Sequence, residues 1–191
     1  MWTMTLWQQG SPFLQWGAAI GASLAGAVAD VAGRRIPNRL TGPVLVAGLA
    51  WSAYVGGLAG LCEAALACLV LAFPYVLLFL FAGGGAGDAK LMAAIGAWLG
   101  LANGMVALVA VSLCAVFLAI GQAAAKKRLR SVLDHVVAFV NGLIFIVISR
   151  GKLKDRKGFL PTTDSRQTMP YGIAIFGGVC IAATGVLLWR A

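Results

Sequence analysis

Long apolar runs separated by short polar breaks dominate the chain, and a window of about 20 residues resolves five spans, 14–33, 41–54, 61–82, 105–125 and 170–189. A sixth, 88–101, is shorter. At 1.5 Å per residue it covers ~21 Å of a hydrocarbon core ~30 Å thick. If its outer end reaches the far interface, its first residue, Asp88, starts several ångströms below the near one. The pattern predicts an all-α polytopic membrane protein with six transmembrane helices, forming a single membrane-embedded unit over residues 1–191. A further apolar stretch, 136–149, is too short for an ordinary span, and counting it would place the basic clusters on either side of it in opposite compartments. It reads as an interfacial or re-entrant helix within a basic cytoplasmic segment, 126–168.

Composition agrees with the pattern: 61% hydrophobic residues, 11% charged and a mean hydropathy of +0.91 exclude a soluble domain of 191 residues. The net charge of +9 could suggest nucleic acid, but the basic residues are concentrated in a few inter-helix segments, so they report membrane orientation instead. With the amino terminus outside and six alternating spans, every Lys and Arg except Arg190 falls on the cytoplasmic side, where the run 150–157 also suits anionic lipid headgroups. No Lys or Arg precedes the first apolar run, so the amino terminus is expected to be retained rather than removed as a signal peptide. Cys62, Cys68, Cys114 and Cys180 lie inside apolar stretches and read as buried small hydrophobes.

Against this background the acids stand out. Asp88 closes the run Gly83-Gly84-Gly85-Ala86-Gly87-Asp88-Ala89-Lys90, whose glycines disfavour a helix at a membrane boundary. Irregular backbone at that depth is tolerated only where protein or a water-filled cavity surrounds it, which implies a wet pocket. Asp30, near the cytoplasmic end of the first span, lies at a similar depth, whereas Glu63 lies toward the outside and Asp134, Asp155 and Asp164 lie in the basic segment. Taken singly, Asp30 could pair with Arg34 or cap its helix, and Asp88 could be an amino-terminal cap. Two submerged acids on one side, one beside a flexible glycine run, point to shared chemistry.

Two carboxylates within a few ångströms can share a proton, so that one activates water while the other protonates a substrate carbonyl. That is aspartic-protease chemistry, and it needs neither metal nor cofactor. Helix-end position alone suggests Asp88 as the base and Asp30 as the proton donor. Lys90, about 200° around the helix from Asp88, can snorkel to headgroups or contribute to active-site electrostatics. Pro37 and Asn38 read as the turn into the second span, shaping the entrance to the site. His135 is the only histidine, which leaves a histidine-based metal site or triad little support. Small residues at helical spacing, Gly17 with Gly21, Ala22 with Gly26 and Gly96 with Gly100, are expected to let helices approach closely.

The string Gly85-Ala86-Gly87-Asp88, followed by Ala89-Lys90-Leu91-Met92, resembles the GxGD motif of the type IV prepilin peptidases, integral-membrane aspartyl proteases. The first-acid string, with Arg34-Arg35-Ile36-Pro37-Asn38, and the opening of the last span, Met169-Pro170-Tyr171-Gly172, are similar to that family too. The resemblance implies catalytic aspartates at Asp30 and Asp88. It also implies cleavage of a short, positively charged leader from prepilin or pseudopilin precursors at the cytoplasmic face of a bacterial inner membrane. The chain has no cysteine before Cys62 and no room for the cytoplasmic domain of the larger methylating members. It looks more like the short peptidases of tight-adherence (Flp-type) pilus systems, and no cofactor is implied. GxGD also occurs in proteases that cut other membrane substrates, and from a different class the two acids would serve a non-catalytic pilus-assembly subunit or a proton-coupled transporter.

Overall fold

The computed structural model describes residues 12–33, 36–82, 86–125 and 171–190. These form four α-helices, α1 (Pro12–Gly33), α2 (Asn38–Ala82), α3 (Ala86–Ala125) and α4 (Tyr171–Arg190), with no strand among the described residues. All four are long and apolar enough to cross a membrane. The apolar stretch 136–149, the basic segment 126–168 and His135 lie outside the described residues.

The 45 residues of α2 and the 40 of α3 would reach ~60 Å or more as straight rods, about twice a hydrocarbon core. Neither is straight. Each is broken at one glycine, Gly57 (φ 57°, ψ −146°) and Gly100 (φ 69°, ψ −175°), in a backbone region that residues with a Cβ rarely adopt. The chain folds back at Gly57, because a Cβ on Gly60 would lie 2.5 Å from the carbonyl oxygen of Ser52. Thus α2 consists of arms 38–56 and 58–82, and α3 of arms 86–99 and 101–125. The paired spans expected from hydropathy, 41–54 with 61–82 and 88–101 with 105–125, are each one broken helix.

The first arm of α3 sits at the centre. Leu91, Met92, Ile95 and Leu99 are fully buried and form one core with Trp16 of α1, Leu71 of α2, Val111 of the second α3 arm, and Ile175 and Val179 of α4. Being surrounded by protein explains how so short a segment persists at membrane depth. It is also pinned by polar contacts across to α2: Ser52 Oγ donates to the Ala97 carbonyl (3.0 Å), and Trp98 Nε1 donates to the Val44 carbonyl (2.9 Å). By contrast, Phe13, Leu69, Phe73 and Phe117 point outward with most of their surface uncovered, as expected for lipid-facing positions.

Two packing expectations change. Gly17 and Gly21 meet nothing among the described residues and lie on the outward face of α1, while Ala19, Ala22, Ser23 and Gly26 face inward. Of the other glycines, Gly26 and Gly96 do sit at close helix contacts, whereas Gly100 serves as a chain break. The cysteines are all free, but Cys62 is exposed and the other three are only half-buried. They occupy helix flanks rather than the core.

Candidate active site

The site forms where the end of α1, the start of α3 and the start of α4 converge. Gly26, one turn before Asp30, has no room for a side chain because Leu91, one turn after Asp88, fills that space; a Cβ there would lie 2.6 Å from Leu91 Cδ2. Just beyond α1, Ile36 packs onto Gly87, whose Cβ position would be 3.1 Å from Ile36 Cβ. These two contacts bracket the acids and place them at the same end of the bundle. Asp30 and Asp88 lie within coulombic reach of each other.

The helix carrying Asp88 starts at Ala86, so the acid lies inside its first turn, only 8% exposed. Gly87 is helical despite its low propensity, since its missing side chain admits Ile36. Asp30 is half-buried, and its Oδ2 accepts a 2.9 Å hydrogen bond from the backbone N–H of Gly172 in the first turn of α4. Tyr75, which follows Pro74 in α2, and Tyr171, which opens α4, both lie within coulombic reach of Asp88. This end of the bundle therefore brings together a buried and a half-buried carboxyl group, a backbone donor, a half-buried phenol and an exposed one.

Pro37 and Asn38 form the expected turn. The Pro37 carbonyl accepts from the backbone N–H groups of Leu40 (3.0 Å) and Thr41 (3.4 Å), so it starts α2, and Asn38 is its first residue. Lys90 points away from Asp88 and donates from Nζ to Asn38 Oδ1 at 2.8 Å. Gly85, Arg34 and Arg35 lie outside the described residues.

Gly172, Tyr171 and Tyr75 belong to this neighbourhood without having been singled out as site residues from sequence. Tyr75 carried a signal, a hydroxyl within a long apolar run beside a proline. Gly172 carried none beyond its place at the opening of the last span, because a backbone donor is common to every residue except proline.

A profile of the type IV leader peptidase family matches residues 17–120, a stretch that contains both aspartates and ends in the second arm of α3. No curated protein and no solved structure matches the chain.

Proposed function

The chain belongs to the type IV leader peptidase family, and we propose that it is a membrane aspartyl endopeptidase of the short, Flp-type kind. It removes the positively charged leader of prepilin-like precursors at the cytoplasmic face of a bacterial inner membrane. The observation that carries this reading is the convergence of Asp30 and Asp88 at one end of an otherwise apolar bundle, bracketed by the Gly26–Leu91 and Ile36–Gly87 contacts. Acids placed together at that depth are costly unless they are used.

In the proposed reaction one carboxylate takes a proton from water, and the water oxygen bonds to the scissile carbonyl carbon. The other carboxyl group gives its proton to the carbonyl oxygen, producing a gem-diol. Collapse breaks the C–N bond as the first group returns its proton to the leaving nitrogen, while a diol hydroxyl returns one to the second. Both carboxyl groups end as they began. In this reading α2 and α3 each cross the membrane twice, turning at their glycine breaks, and the distribution of Lys and Arg supports an amino terminus outside with both aspartates on the cytoplasmic side.

Co-expression with a candidate prepilin tests the reading through the mobility shift of the precursor. Wild type should process it, while Asp30→Asn and Asp88→Asn should each slow processing by about 10²-fold or more. Normal processing by either variant defeats the two-aspartate mechanism.

A further inference from the structure

Among the described residues, Asp30 accepts a hydrogen bond from a residue 142 positions away, at the start of the last helix. We propose that the amino terminus of α4 is a third component of the reaction centre, in which the Gly172 backbone N–H positions the Asp30 carboxylate as the group that accepts the proton from water. The kinetic part of this inference rests on the aspartyl peptidase reading; the contact itself does not.

Three features support it. First-turn N–H groups have no partner within their own helix, so a carboxylate placed there satisfies the donor and meets the positive end of the helix dipole. The donor cannot follow a wandering acid, because Ile175 and Val179 of α4 are buried in the core and Gly178 lies directly against the Val111 backbone. The fit on the Asp30 side is equally tight: a Cβ on Gly172 would lie 2.9 Å from Ala27 Cα and 3.0 Å from Asp30 Cβ. Any larger residue must therefore push the acid or the helix bearing it.

The contact also reverses the division of roles suggested by helix ends alone. Asp30 lies near the carboxyl end of α1, which opposes negative charge, but it receives a direct N–H bond from the amino end of α4. A hydrogen bond at contact distance to the charged form outweighs a dipole spread over a helix end. Asp88, enclosed among protein groups, then supplies the proton to the carbonyl oxygen.

The decisive experiment deletes the donor and leaves the space untouched. In the full-length protein, Gly172 is replaced by glycolic acid through nonsense suppression, turning the Tyr171–Gly172 amide into an ester, with Gly172→Ala as a companion that keeps the N–H and adds bulk. Infrared difference spectra against Asp30→Asn identify the Asp30 carboxylate band, which should shift in the ester protein. With a prepilin substrate, kcat should fall by about 10- to 100-fold at unchanged KM, the loss expected for one hydrogen bond to a charged group. Gly172→Ala should also lower kcat, through displacement of Asp30. An unmoved Asp30 band overturns the inference whatever the substrate proves to be. A shifted band with wild-type kcat, in a preparation whose wild type cleaves, overturns the positioning role alone. Failure of wild type to cleave any precursor defeats the peptidase reading while the band still decides the contact.

Discussion

Lys90 and Asn38, 52 residues apart in sequence, meet at the same end of the bundle as the two aspartates, Lys90 Nζ donating to Asn38 Oδ1 at 2.8 Å. The bond ties α3, two residues past Asp88, to the first residue of α2. Both partners are exposed, so the bond adds little to global stability. Its effect is orientation. Lys90→Met and Asn38→Ala should each slow precursor cleavage by about 2- to 10-fold with little change in thermal stability, and the double variant should be no slower than the worse single. Additive losses in a double-mutant cycle would show that the two residues act independently.

Gly177 and Gly178 are neighbours with opposite surroundings. A Cβ at Gly178 would overlap the backbone of Val111, whereas one at Gly177 would meet nothing within 4 Å among the described residues. Backbone cannot yield as a side-chain tip does. Gly178→Ala should therefore cost about 1–3 kcal/mol in detergent unfolding, while Gly177→Ala should stay within about 0.5 kcal/mol. Equal effects would mean that α3 and α4 do not cross where the structure places them.

The contact one turn from each acid offers a different kind of test. At Gly26 the obstacle is Leu91 Cδ2, the end of a flexible side chain, so Gly26→Ala can be absorbed by a small displacement. That displacement falls one turn from both Asp30 and Asp88, so cleavage should drop more than stability does. Leu91→Ala alone should cost about 2–5 kcal/mol through the cavity it leaves. Combining the two should cost less than their sum, because the added methyl occupies part of that space. Strict additivity in thermal unfolding would disprove the contact.

How much of this was legible in the sequence depends on whether a feature costs free energy in its local setting. Asp30 and Asp88 stood out because an acid in an apolar run is expensive, whereas Gly87, expected from the Gly-rich run to oppose a helix, is helical. Pro37 and Asn38 announced a turn, and they form one. The Gly172 donor was not legible: it is backbone, and its acceptor lies 142 residues away. Gly17 and Gly21 misled in the other direction, since their spacing marks one helix face without saying whether a neighbour covers it. The breaks in α2 and α3 were legible as gaps between spans, since Gly57 lies between 54 and 61 and Gly100 at the end of the span 88–101; which residue makes each break is shown only by its positive φ.

Those breaks lead to the prediction with the widest reach. A single 45-residue span would leave residues near Gly57 deep in the hydrocarbon, whereas a fold-back there, in the proposed topology, brings them to the outer surface. In a variant with the four native cysteines replaced by alanine, Leu58→Cys beside the first break and Asn103→Cys beside the second should react with a membrane-impermeant maleimide applied to spheroplasts. Asn38→Cys, at the same end as the aspartates, should react only after permeabilisation. Leu58 is 78% exposed, so burial within the protein does not block labelling there. Labelling of positions 58 and 103 from outside, together with protection of position 38, would establish both the doubled helices and the cytoplasmic location of Asp30 and Asp88. Protection of position 58 would leave α2 as one tilted or displaced element. Labelling of position 38 from outside would place the aspartates on the wrong face for a leader still in the cytoplasm.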